Sequence, residues 1–251
     1  MSQRSRRGVL ITGASRGIGA AIASAFASAG DRVAVHYRTR RAEADAVRKS
    51  LTGADHIVAG ADLGDARAVA AMVEQVAATF GAIDVLVNNA GLFVEHPIMQ
   101  AGYEEWQDAW QQTLAVNLVG AANVTWCAVR HMPDGGRIVN ISSRGAFRGE
   151  PTHPAYGASK AGLIAFGQSL ARDLGARGIS VTAVAPGLVD TEMAAPALSG
   201  TDGERRRAES PFGRIATAEE VAGAVLYLAS PGAAFASGSV IDVNGASHLR
   251  L

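Results

Sequence analysis

Thr12-Gly13-Ala14-Ser15-Arg16-Gly17-Ile18-Gly19 decides the fold of this chain. It directly follows the short apolar run Gly8-Val9-Leu10-Ile11 and opens a long alanine-rich stretch with helical spacing. A strand, a glycine turn and a helix N-terminus are expected in that order. Free backbone N–H groups and the positive end of the helix dipole suit such a turn to a pyrophosphate. Glycines are needed there because a Cβ would collide with the turn, the ligand or the adjoining strand.

Downstream, short β-branched runs keep alternating with longer stretches of helical spacing. Strands are predicted at 9–11, 32–36, 56–59, 85–88, 137–141, 180–183 and 240–243. Helices are predicted at 17–29, 42–50, 66–79, 104–130, 155–174 and 218–229, the last opened by a capping box of Thr217 and Glu220. This alternation predicts an α/β fold, a doubly wound parallel sheet with helices on both faces. No internal repeat or long linker divides the 251 residues, so one domain over 1–251 is expected. Residues 192–211 lack a strand pattern and follow the strand end at Pro186-Gly187. Ser199, Gly200, Asp202 and Gly203 break the helical pattern there, between an apolar part and the charged residues 204–207. Ligands of open α/β sheets bind at the carboxyl ends of strands, so this segment is expected to be a mobile lid hinged near Gly187 and Gly213.

Composition excludes several classes of function. Lys plus Arg and Asp plus Glu both number 23, so the formal net charge is zero. Neither nucleic acid nor an acidic membrane surface is then an expected partner. The 48% hydrophobic content suffices for one sizeable core. Cys127 is the single cysteine; it cannot close an internal disulfide, and no metal site is expected. The N-terminal Arg4, Arg6 and Arg7 are basic, but the apolar run behind them is too short for a signal peptide or a membrane span. A cytoplasmic protein is expected.

Further motifs accompany the glycine turn: Asn88-Asn89-Ala90-Gly91, Asn117, Ser142-Ser143, Tyr156-Gly157-Ala158-Ser159-Lys160, and Pro186-Gly187 followed by Thr191. In this order, and over nearly its whole length, the chain resembles the short-chain dehydrogenase/reductase family. Within it, the chain looks most like the branch of 3-oxoacyl-acyl-carrier-protein reductases and many bacterial sugar, alcohol and ketone reductases. The resemblance implies a Rossmann fold with strand order 3-2-1-4-5-6-7, a homotetramer, and hydride transfer between a nicotinamide and a carbonyl or secondary alcohol.

The chemistry of that reaction can be read on the residues. A carbonyl that takes a hydride must also take a proton, and a phenol donates best when its pKa of about 10 is brought nearer the working pH. Tyr156 and Lys160 are four apart, on one face of a helix, so the ammonium is expected to stabilise phenolate and lower that pKa. Ser143, at a strand end, is expected to hold the substrate oxygen. The resemblance assigns the same roles, adds ribose binding by Lys160, and has Asn117 position a water that links Lys160 to solvent. It also favours Ser143 over Ser142, being thirteen residues before the tyrosine.

Cofactor choice is legible after the second strand. NAD-dependent folds end it with a carboxylate for the ribose hydroxyls, whereas a 2′-phosphate calls for arginine. Here the strand ends His36-Tyr37-Arg38, with Tyr37 where NAD-using relatives carry Asp, so NADP(H) is expected. Arg38 is expected to meet the phosphate with help from Arg16. An exposed arginine beside Arg40 and Arg41 is the plainer alternative. By resemblance, Asp62 and Leu63 contact the adenine; Asn89, Ala90 and Gly91 line the cofactor; Pro186, Gly187, Val189 and Thr191 contact the carboxamide. Gly13, Ser15, Arg16, Gly17, Ile18 and Gly19 form the phosphate turn.

The substrate is left open between a free ketone, alcohol or sugar and a 3-oxoacyl thioester. Relatives that take carrier-protein thioesters carry basic residues before the serine-bearing strand and after the tyrosine-bearing helix. Arg177 matches the second position, but Pro133-Asp134-Gly135-Gly136 occupies the first, so a small molecule is the expected partner. A dinucleotide-binding regulator without turnover is the reading from another class. His153 is expected to line the mouth, with Phe147, Arg148 and Glu150 as substrate contacts. Trp106, Trp110 and Trp126 are expected in the core or a subunit interface. Arg205-Arg206-Arg207 is expected to be a solvated lid face, with attraction of an acidic substrate or carrier as the other reading.

Overall fold

In the computed structural model, which describes residues 6–192 and 200–250, β1 (Gly8–Ile11) is an inner strand, third in one seven-stranded parallel sheet. The other strands are β2 (Arg32–Tyr37), β3 (Ile57–Gly60), β4 (Val85–Asn88), β5 (Arg137–Ile141), β6 (Ser180–Pro186) and β7 (Val240–Val243). Their order is β3-β2-β1-β4-β5-β6-β7, as expected for the Rossmann arrangement. Side-chain alternation feeds two cores. Val9, Ile11, Val85, Val87 and Val139 enter one, while Leu10, Leu86 and Ile138 enter the other.

The first core is covered by α1 (Gly17–Ser28), α2 (Arg41–Ser50) and α9 (Ala218–Leu228). The second is covered by α3 (Ala66–Phe80), α5 (Ala121–Val129) and the end of α7 (Pro154–Asp173). Thr217 and Glu220 cap α9 reciprocally, as predicted. The order reverses at β1, whose neighbours β2 and β4 send their following helices to opposite sides, so a crevice opens at the carboxyl ends of these strands.

Three stretches depart from expectation. The predicted 104–130 helix is interrupted: α4 (Tyr103–Leu114) passes through a π-helical turn, Ala115–Gly120, into α5. A short α6 (Gly145–Arg148) follows β5. Within the expected 192–211 lid, Gly200–Ala208 forms α8, so Asp202 and Gly203 do not break the helix there. Residues 193–199 of that expectation lie outside the described residues. Gly213 does take a left-handed φ of 65°, whereas Gly187 shows no such backbone. No helix among the described residues is long and apolar enough to cross a membrane.

Candidate active site

The strand ends surround one cavity of about 940 Å³. Every cofactor contact expected from the sequence lines it, from Gly13 through Arg38, Asp62 and Asn89 to Thr191, and so do Ser143, Tyr156 and Lys160. Asn117 stands behind the wall.

At the glycine turn, Gly13 and Gly17 have φ of 63° and 53°, a region L side chains rarely adopt. A Cβ on Gly13 would stand 2.8 Å from Ala90 Cα. Helix α1 has neither a side-chain N-cap bond nor an acidic residue in its first turn, so its leading N–H groups are open to an anion. The turn itself is pinned from both sides. Thr12 Oγ1 accepts from Asn89 N at 2.9 Å and Ala90 N at 3.0 Å, and Asn89 Nδ2 donates to Thr12 O at 2.8 Å. From β2, His36 Nδ1 accepts the Gly13 N–H at 2.9 Å. A bare, rigid amide cradle of this kind fits a dinucleotide diphosphate.

At one end of the cavity stand Arg16, Tyr37, Arg38 and Arg40. Glu192 pairs with Arg16 and lies 3.7 Å from Arg40 Nη1. No carboxylate occupies the end of β2, and Arg38 forms no ion pair among the described residues. This end is built for negative charge.

At the other end, Ser143 Oγ accepts from Gly145 N at 3.0 Å and shares a hydrogen bond with the Tyr156 hydroxyl. Ser142 Oγ instead donates to Lys160 O at 2.9 Å and so faces helix α7. Lys160 Nζ donates to Ile141 O at 2.8 Å and lies 5.6 Å from the Tyr156 ring centre. In the π-helical turn, Asn117 holds the 92 position through both amide atoms: Leu92 N donates to Oδ1 at 2.7 Å, and Nδ2 donates to Leu92 O at 3.0 Å. Its Nδ2 also reaches Ser159 Oγ at 3.0 Å. The Oδ1 of Asn117 and Nζ of Lys160 both border Gly91.

The electrostatics correct one expectation. Burial pushes the Tyr156 phenol up to about 12, and the Ser143 hydrogen bond only partly opposes this. The net result is a rise where a fall was expected, and burial also brings the Lys160 ammonium down to about 8. A neutral phenol beside a charged, buried ammonium is the state at neutral pH. That phenol retains the proton a carbonyl reduction needs.

Sequence reasoning missed several neighbours. Phe93 stacks on His153 with centroids 3.6 Å apart and meets Tyr156 edge-on at 4.7 Å. His153, Arg148 and Glu150 line the cavity as expected, but Phe147 turns away, its ring 4.3 Å from the Arg250 guanidinium carbon. Arg144 and Glu209 pair at 2.6 Å beneath the loop. Arg206 is no solvated lid residue, for it lines the cavity too. Trp106 and Trp110 are half-buried neighbours at 5.8 Å, whereas Trp126 is 61% exposed, with the Arg130 guanidinium carbon 3.2 Å from its ring centre. Long-range partners of this kind carry no local sequence signal, although Phe93 follows closely on the Asn88-Asn89-Ala90-Gly91 run.

A family described as enoyl-(acyl carrier protein) reductase matches residues 13–248. The chain is 38% identical to the 3-oxoacyl-[acyl-carrier-protein] reductase of Staphylococcus aureus, over 97% of this chain and 98% of that one. It is also 38% identical to the D-threitol dehydrogenase of Mycolicibacterium smegmatis, over 96% and 92%. Among solved structures, a short-chain dehydrogenase/reductase from Serratia marcescens superposes with a TM-score of 0.89 at 38% identity, over 95% of this chain and 96% of that one. The angucycline C-6 ketoreductase LanV with bound NADP gives 0.88 at 34% identity, over 96% and 95%. With these likenesses spanning nearly the entire sequence, the glycine turn and the Tyr156–Lys160 pair find their explanation: the chain belongs to the short-chain dehydrogenase/reductase family of oxidoreductases, beside its 3-oxoacyl-acyl-carrier-protein reductases.

Proposed function

We propose that the protein is an NADP(H)-dependent oxidoreductase that transfers a hydride between the nicotinamide and a ketone or secondary alcohol, with Tyr156 as acid/base. One observation carries this reading: a single cavity joins the arginine-bearing end at Arg16 and Arg38 to the Ser143–Tyr156–Lys160 cluster. Bound NADPH supplies a hydride to the carbonyl carbon. The chain's residues manage the oxygen. Ser143 orients it, Tyr156 gives up its proton to it, and Lys160 places positive charge against the phenolate that remains. The amides of the glycine turn hold the diphosphate, Arg38 and Arg16 the 2′-phosphate, Asp62 and Leu63 the adenine, and the 186–191 segment the carboxamide. Asn117 braces Leu92 and Ser159 around this centre. NADP-bound relatives such as LanV support the cofactor assignment.

A carrier-protein thioester is the second reading, favoured by the 3-oxoacyl reductase relatives. Arg177, however, is tied to the very loop that replaces the other expected cation: Nε donates to Asp134 Oδ1 at 3.0 Å and Nη2 to Met132 O at 2.6 Å. A guanidinium so engaged is a poor docking site, which favours small molecules. We further read the chain as one cytoplasmic domain assembled into homotetramers, with the described part of the expected lid, from 200 on, covering the substrate.

The test is NADPH oxidation followed by absorbance with ketones, sugars and an acetoacetyl thioester of acyl carrier protein. Turnover of free carbonyl compounds at least matching the thioester is the expected outcome. A much better thioester would make fatty-acid elongation the function, and no turnover at all would leave only a dinucleotide-binding regulator.

A further inference from the structure

We infer that the substrate carries a carboxylate besides its carbonyl, and that Arg206 is the side chain that recognises it. The inference rests on the reductase reading above. Three guanidinium groups border the substrate end of the cavity, and two of them are engaged. Arg144 Nη2 meets Glu209 at 2.6 Å and its Nη1 donates to Ser247 Oγ at 2.6 Å. Arg148 Nη1 lies 3.3 Å from the same Glu209, with Nε 3.9 Å from Glu150. Arg206 differs. It lines the cavity, yet its Nε is buried with no hydrogen-bond partner, and it forms no ion pair among the described residues.

A solvated arginine at the end of a helix would keep its nitrogens in water. A buried N–H without an acceptor is costly, and such a group is satisfied when a ligand brings the missing oxygen. The nearby protein carboxylate does not supply it. Glu150 feels the charge of Arg206, but it forms no ion pair with it and sits closest to Arg148.

The position of Arg206 relative to the reacting centre follows from its neighbours. Its charge also bears on His153, whose ring stacks on Phe93, and Phe93 in turn touches the Tyr156 ring. A molecule with its oxygen at Tyr156 and its carbon chain along Phe93 therefore brings its far end toward Arg206. One unpartnered planar guanidinium matches a carboxylate, which it can bind through two parallel hydrogen bonds. A dianionic phosphate would face Glu150 and Glu95 on the same wall with too little positive charge to balance it.

The experiment compares short 3-oxo and 4-oxo acids with their methyl esters as substrates in NADPH oxidation, using wild type, Arg206→Gln and Arg206→Lys. The wild type should favour the acid over its ester in kcat/KM by roughly ten- to a hundredfold, the ratio one charge-assisted interaction provides, and chiefly through KM. Arg206→Gln should bring the ratio close to one, while Arg206→Lys should retain part of it. Esters reduced as well as acids by the wild type, or a ratio untouched by Arg206→Gln, would overturn the inference and leave the reductase reading standing. If no acid, ester or simple ketone is reduced, the reductase reading falls and the inference falls with it.

Discussion

The imidazole of His36 accepts the backbone N–H of Gly13 at 2.9 Å, so the second strand sets the phosphate turn of the first. Because Gly13 must donate, Nδ1 is the accepting nitrogen, and the proton sits on Nε2, 3.1 Å from Ala61 O. One neutral ring thereby ties together the ends of β1, β2 and β3. Burial holds its pKa down to about 4.

Acid sensitivity follows from that ring. An ordinary histidine titrates near 6.5, so between about 6.5 and 4 the unfolded chain binds the proton that the folded one refuses. Stability should therefore be lost as pH falls through this window, by up to ~3 kcal/mol from His36. Urea unfolding at a series of pH values measures it, with His36→Asn expected to flatten the slope. An equally steep slope in the variant would acquit His36.

Tyr156→Phe should abolish hydride transfer while leaving NADPH binding, read by fluorescence, close to wild type. Lys160→Ala should impair both, since the ammonium serves the phenol and the ribose. With Lys160 near 8 and Tyr156 near 12, the reduction rate should fall as pH rises through about 8, where the ammonium discharges while the phenol is still protonated. A rate that is flat to pH 10, or clear residual turnover by Tyr156→Phe, would refute these roles.

NADPH should be preferred to NADH by roughly ten- to a hundredfold, the range expected of a charged phosphate contact. Tyr37→Asp with Arg38→Ala should reverse the order. Glu192 pairs with Arg16 and approaches Arg40, so it competes for the cations a 2′-phosphate needs. Glu192→Gln should thus lower the KM for NADPH a few-fold and leave that for NADH alone. Equal changes for both cofactors would mean that Glu192 does not face the phosphate.

In light scattering, the assembled protein should show about four times the 25.8 kDa of one chain. The exposed Trp126 on α5 and Phe235 after α9 are apolar faces of the kind subunits cover. Trp126→Glu should split the assembly or shift it to dimers. A wild-type mass near one chain would remove the tetramer from the proposal.

Local spacing made the centre of this site legible and hid its periphery. Gly13, Gly17 and Gly19 announce a backbone geometry, and Tyr156 with Lys160 announces a helix face, each within a few residues. Phe93 and Arg206 come to the cavity, and Glu209 to the arginines beside it, from segments far apart in the chain, and only packing brings them together. Helix α8 has no sequence signal because Gly200, Asp202 and Gly203 are poor helix formers whose weak preference yields to context. The role of His36 is hidden for a like reason: a strand-end histidine looks unremarkable until the turn it supports is beside it. The phenol pKa is the reverse case, a local pair whose effect burial outweighs.

The π-helical turn at Ala115–Gly120 has a consequence for insertions and deletions. A turn closed i→i+5 takes up one residue more than an α-helical turn, so it absorbs that residue without rotating the helix beyond it. Removing one residue there would restore a regular helix and leave the phase of α5 as it is. Thr125 would still accept from Asn88 Nδ2, and Val124 and Ala128 would still face the sheet. What would be displaced is Asn117, with its bonds to Leu92 and Ser159, so a one-residue deletion at this point should be tolerated by the fold and not by the site.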